Sequence, residues 1–244
     1  MVTRHCVMGL LAAGVLLAAA PAAKAQVPTP ATEKFYLNVN FGAQFADRTT
    51  TSNVEKTVYD ETASLVATQP IGSGLVFDVG GGYRVWEDVY VGLVVTRFSN
   101  THQANYTATI PDPFFFGSFK TVNGLTDELK RTEVSINPHL LWVTPLTDKI
   151  DISIGLGLSI IQLKQDVLAD FTVPQPTQDV NPIVENQSGT AIGVYAAADF
   201  IYGLTPRYGV GGFLRYAGGK ADLGAIDETD VGGLQAGAGI RLRF

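Results

Sequence analysis

The most constraining stretch of the chain runs from Thr229 to Phe244, where apolar residues recur at every second position. Phe244, Leu242, Ile240, Ala238, Ala236 and Leu234 share one parity; Arg243, Arg241, Gly239, Gly237, Gln235 and Gly233 share the other. Successive side chains of a β-strand point to opposite faces, so this segment presents a greasy face and a polar or small one. Such a face is buried against a second sheet in a soluble protein, or turned toward lipid in a membrane one.

Seven further segments carry the same period: 34–46, 74–86, 88–99, 129–143, 149–164, 190–202 and 207–216. The third is apolar on both faces; placing Arg97 inward would turn Tyr90, Val94 and Phe98 to the outside. The connections alternate in length. Those at 86–88, 144–148 and 203–206 are tight turns, whereas 47–73, 100–128, 166–189 and 217–230 are long. Stretches 105–109 and 119–122 are candidates to continue the third and fourth strands. Short turns alternating with long loops point to an all-β fold, an eight-stranded antiparallel up-and-down transmembrane β-barrel with short periplasmic turns and long extracellular loops. Aromatics near the strand ends (Phe35, Trp86, Tyr90, Trp142, Tyr202, Tyr208, Phe244) suit an interfacial girdle.

Residues 1–25 read as a signal peptide: Arg4 and His5 precede an apolar run from Val7 to Ala20, and Ala23-Lys24-Ala25 suits cleavage before Gln26. A short segment, 26–33, would then lead into a barrel over 34–244. The only cysteine, Cys6, lies in the leader, so neither a disulfide scaffold nor a thiolate metal site is expected. Removing Arg4 and Lys24 from the 17 basic residues leaves 15 against 23 acidic ones, a net charge of −8 that argues against nucleic acid. Nothing after Gln26 is long and apolar enough for a membrane helix, so membrane residence requires a closed barrel.

The rhythm of strands and loops, Gly80-Gly81-Gly82-Tyr83, Gly209-Val210-Gly211-Gly212 and the final Ile240-Arg241-Leu242-Arg243-Phe244 together resemble the small bacterial outer-membrane barrel domains of OmpA and OmpW type. The resemblance covers about residues 34–244, although the second and third loops are longer than in the shortest such barrels. It implies residence in a Gram-negative outer membrane, contact with its lipid and lipopolysaccharide, and delivery by periplasmic chaperones and the barrel-assembly machinery. Phe244, Leu242 and Ile240 would form the assembly signal. No cofactor is implied.

Eight strands enclose a space just wide enough for side chains to fill, and charges placed there must pair. Counting from the short turns puts Arg84, His139, Asp151, Asp199 and Arg241 near the periplasmic end, and Asp78, Arg97, Glu133 and Arg215 about nine residues from those turns. Mixed signs at each level favour a salt-bridged plug and a non-enzymatic, surface-exposed barrel. Inward glycines keep a small porin-like channel for ions or solutes as the alternative, since they leave room for water. A remote third reading is a lipid-modifying hydrolase built on Ser135 and His139. Four residues of strand separate those two by about 13 Å, too far for a nucleophile and its base. Phe114, Phe115 and Phe116, between Pro113 and Gly117, read as a loop folded back to cap the mouth, with a hydrophobic tip contacting an extracellular ligand or the outer leaflet as the alternative. Acidic residues in the last two loops read as solvated faces, with no metal-site spacing.

Overall fold

The computed structural model describes residues 34–174, 179–223 and 228–244; the expected leader and the 26–33 segment lie outside these. In chain order the strands are β1 (Phe35–Phe45), β2 (Arg48–Val58), β3 (Glu61–Ile71), β4 (Gly74–Arg84), β5 (Val89–His102) and β6 (Asn105–Pro111). They continue with β7 (Phe119–Leu125), β8 (Leu129–Thr147), β9 (Ile150–Thr172), β10 (Asn181–Gly203), β11 (Tyr208–Ala221) and β12 (Thr229–Arg243).

Eight of these close an antiparallel ring in the order β1, β12, β11, β10, β9, β8, β5, β4. The last strand zips onto the first from Tyr36 opposite Arg243 to Phe45 opposite Leu234, and the Phe35 and Phe244 backbones exchange hydrogen bonds. Partners can be followed from Phe35 through Tyr83, Val91, Leu140, Leu156, Ala196, Tyr216 and Leu234. This circuit returns to β1 at Phe45, ten residues above its start. That stagger is the shear that tilts strands against a barrel axis.

The circuit consists of outward-facing residues. Phe35, Phe41, Phe77, Leu156 and Val194 are exposed, while Asn40, Asp78, Thr96, Asn137, Ser159 and Gln235 are buried inside. Apolar residues outside and polar residues inside invert the arrangement of a water-soluble domain. Along β9 the inversion itself reverses. Ile152, Ile154, Leu156, Leu158 and Ile160 face out, but beyond them the outward positions are Gln162, Lys164 and Asp166. Inside, Ser153 and Ser159 give way to Ile161 and Leu163, which pack with Ala191, Ala221, Leu223 and Val231. The upper barrel is therefore built for water outside and the lower barrel for lipid.

The structure corrects the reading of Arg97. Directly opposed residues share a face, Asp78 is buried, and it pairs with Thr96. Arg97, opposite the exposed Phe77, must therefore point outward, and Tyr90, Val94 and Phe98 point in.

The first two long connections are not loops. They fold as a second sheet in the order β2, β3, β6, β7, so stretches 105–109 and 119–122 belong to their own hairpin and do not prolong the ring strands. Tyr59 and Asp60 link β2 to β3 with φ of 53° and 62°, the positive values a type I′ turn demands. Ala63, Leu65 and Ala67 of β3 and Ala108 and Ile110 of β6 bury an apolar face against Leu168 and Phe171 on the extension of β9, and against Val180. Burial of each large side chain there contributes about 1.5–3 kcal/mol. Strands β9 and β10 have 23 residues each, about twice the length a tilted membrane strand requires, which is why they reach this sheet.

Candidate functional site

Arg215 on β11 is buried in the barrel and directs one guanidinium nitrogen to Asp78 at 2.9 Å and the other to Asp199 at 3.3 Å. Asp199 also accepts from Arg241 at 3.0 Å. Asn40 donates to Asp78 at 2.5 Å and accepts from Arg241, so the five side chains form a closed hydrogen-bonded loop across the lumen. The ring of Phe213 lies 4.3 Å beneath the Arg215 guanidinium.

A second cluster lies above. Glu133 accepts from Arg131 at 2.7 Å and from the Gly232 N–H at 2.8 Å. Arg131 also donates to Gln165 at 2.6 Å, and Gln165 donates to Gln69 of β3 at 2.9 Å. This polar chain runs from the lumen into the extracellular sheet. Asp78, Asp199 and Glu133 are balanced by Arg131, Arg215 and Arg241, and all six are buried.

The sequence-derived levels were thus partly rearranged. Asp78 and Arg215 join Asp199 and Arg241, because Asp199 lies two residues along β10 from Ala197, the direct partner of Arg215. The cation expected from Arg97 is supplied by Arg131, which the sequence reading missed even though it shares the parity of Glu133, Ser135 and Asn137. Asp151 sits at the rim and pairs with Arg243, leaving Asp199 to Arg241. Arg84 is half-buried at the same end and has an interaction partner.

His139 is held by other groups. Its Nδ1 lies 2.9 Å from the Asn137 carbonyl, its Nε2 lies 3.3 Å from the Tyr36 hydroxyl, and its ring packs on Tyr195 at 5.2 Å. Ser135 accepts from the Asn137 amide at 3.0 Å, so the serine and histidine are not brought together. The inward glycines are also occupied. A Cβ at Gly82 would meet the Tyr36 ring at 2.5 Å, one at Gly92 would meet His139 Nε2 at 2.6 Å, and one at Gly80 would meet Val94 and Asn38 at 2.5 Å. Beside Gly80 and Gly82, space that the sequence assigned to water holds side chains.

Phe114, Phe115 and Phe116 do not cap the mouth. They are 86%, 69% and 85% exposed at the tip of the β6–β7 hairpin, which stays paired out to Pro111 opposite Phe119. Asp112 accepts from the Phe114 and Phe115 N–H groups at 2.8 and 3.2 Å, and the Gly117 N–H donates to Glu61 at 3.0 Å, tying the tip to the β2–β3 turn.

A closed ring, an apolar outer belt and a polar interior define a lipid-embedded β-barrel of the outer-membrane class. No protein-family model and no curated protein sequence matches the chain. Among solved structures it is similar to the outer membrane protein OprG from Pseudomonas aeruginosa, at 10% identity and TM-score 0.46, over 87% of this chain and 96% of that one. It is also similar to Neisserial surface protein A, at 15% identity and TM-score 0.44, covering 86% and 97%. Ail of Yersinia pestis gives 12% identity and TM-score 0.40, over 86% and 99%.

Proposed function

We propose that the chain is a non-enzymatic outer-membrane barrel with a closed lumen, which holds a rigid extracellular sheet and its phenylalanine tip out to the surroundings. The observation that carries this reading is the loop of Asn40, Asp78, Arg215, Asp199 and Arg241 across the lumen, charge-balanced with the Arg131–Glu133 pair above it. The charges of the loop pair with one another, and of its buried polar atoms only Arg215 Nε lacks a hydrogen-bond partner, while Tyr36, His139, Tyr195 and Phe213 occupy the remaining section. The cavity beside Glu133, lined by Gln44, Thr96, Phe98, Ser135 and Gln235, is about the size of one water molecule. Outside, the sheet is fastened by the Leu65, Ile110 and Phe171 core and by the Lys56–Asp170 pair at 3.1 Å.

Planar-bilayer recording of the folded chain tests the closed lumen. No unitary conductance is expected from the wild type, and Arg215→Ala is expected to open one. Reproducible steps from the wild type would establish the channel alternative.

A further inference from the structure

Arg97 poses a problem that the closed lumen does not solve: a cation on the outer face of a lipid-facing wall. It stands on β5 two residues above the exposed Val95, and directly across from the exposed Phe77. Its row continues through Val134 and Gln162 to Thr190. The next outward row toward the extracellular end is Ser99, Thr132, Lys164 and Ser188, and Lys130 follows opposite Thr101. Arg97, Lys164 and Lys130 are all exposed, and among the described residues none has an ion-pair partner. Asp166, two residues along β9 from Lys164, brings one carboxylate to the edge of this patch; its oxygens accept from the Lys130 N–H at 2.9 Å and from Asn186 at 2.7 Å, and it forms no ion pair with the three cations.

The height of this patch is marked by β9 itself. The outer face is aliphatic up to Ile160 and polar from Gln162 onward, while the inner face turns apolar at Ile161. That exchange of polarity marks where lipid tails end and head groups begin. Arg97 lies at that boundary and the two lysines lie one and two rows above it. Strand spacing puts the Cα atoms of Arg97 and Lys164 about 12 Å apart, so their long side chains can converge on one head group. Ser99, Thr132 and Gln162 line the wall between them, and Ser188 and Thr190 continue it on β10.

The other outward charges on the ring strands at this end are paired or acidic. Lys220 pairs with Glu228 at 3.0 Å, Arg48 donates to the Gly232 carbonyl, and β12 carries Asp230. Among the described ring strands at this end, the exposed cations without an ion pair therefore lie on β5, β8 and β9.

We propose that Arg97, Lys164 and Lys130 form a binding site on the outer wall for the phosphate groups of an outer-leaflet lipid, with the hydroxyl bank donating to the same head group. The site rests on the barrel lying in the outer membrane and is independent of whether the lumen conducts.

The test uses the folded full chain in phosphatidylcholine nanodiscs, with purified lipopolysaccharide titrated in and retained lipid read by native mass spectrometry. Each juxtamembrane cation contributes about fivefold in affinity, so Arg97→Gln, Lys130→Gln and Lys164→Gln together should weaken retention on the order of a hundredfold. The single variants should each lose about fivefold. Lys220→Gln should leave retention unchanged. Heat-shifted migration on gels confirms that each variant is folded; if the triple variant is not, the single variants decide. Equal retention by wild type and variants would overturn the proposal, and so would equal retention of dephosphorylated lipopolysaccharide. Competition by inorganic phosphate at matched phosphate concentration would overturn the lipid assignment.

Discussion

Arg215 joins both carboxylates of the lumen loop, so its removal measures what that loop contributes. In Arg215→Met, Asp78 keeps only the Asn40 amide at 2.5 Å, whereas Asp199 keeps Arg241 at 3.0 Å. One buried carboxylate is then left without a cation, which costs about 3–5 kcal/mol. Losing the contact with Phe213 adds about 0.5–1 kcal/mol. The expected destabilisation is therefore about 3.5–6 kcal/mol. Adding Asp78→Asn removes the stranded charge and preserves an oxygen for Asn40, so the double variant should recover about 3 kcal/mol. Urea titration of the barrel in phospholipid vesicles provides the assay, with Trp86 in the β4–β5 turn and Trp142 on the outer wall as exposed fluorophores. A cost below about 1 kcal/mol for the single variant, or no recovery in the double, would refute the claim that these charges depend on one another.

Two further outcomes follow from the wall and the extracellular sheet. Gly92→Val should lower stability by about 1–3 kcal/mol, since its Cβ would meet His139 Nε2 at 2.6 Å. Gly212→Ala, whose nearest atom is the Gly237 carbonyl at 3.6 Å, should be tolerated; equal urea midpoints for the two variants would contradict the packing described. The Phe171 N–H, and then Lys56, hold the Asp170 carboxyl below the usual carboxylate range. A group with a lowered folded pKa contributes stability above its unfolded value near pH 4 and loses it as pH falls through the folded value. The protection factors of the β2 amides should therefore fall below about pH 4, and Lys56→Met should raise the Asp170 midpoint measured by carboxyl NMR only part of the way. A full return to the usual value would mean that Lys56, not the backbone, dominates.

The ring was legible because seven of its strands keep one parity clean over many residues. β5 was not, because its inner face holds Tyr90, Val94 and Phe98, and apolar residues on both faces erase the period. Only the pairing of Thr96 with Asp78 decides its facing, and pairing is a property of two strands. The extracellular sheet was hidden for another reason. β2 reads Arg-Thr-Thr-Thr-Ser-Asn with no apolar alternation, and β3 marks its buried face with small residues, Ala63 and Ala67, around Leu65. Within the lumen, Asp78, Asp199, Arg215 and Arg241 were found by parity. Arg131 obeys the same parity and was overlooked because it sits where a loop was expected to end.

Strand β9 shows why barrel and extracellular sheet form one device. A single alternating strand can satisfy two solvents only if its phase inverts once along its length, and β9 does so between Ile160 and Ile161. Below that point greasy residues face out to lipid, and Ser153 and Ser159 face a polar lumen. Above it, Leu163, Val167, Leu168 and Phe171 turn inward to cores of the soluble kind. Gln165 is the exception, a polar residue on the apolar side, and it is the one that bonds both Arg131 in the lumen and Gln69 in the sheet. An unsatisfied amide there would cost about 1–3 kcal/mol. The upper lumen cluster and the sheet therefore each depend on the other's being in place, so the structure exposed to the outside is anchored in the charges that close the barrel.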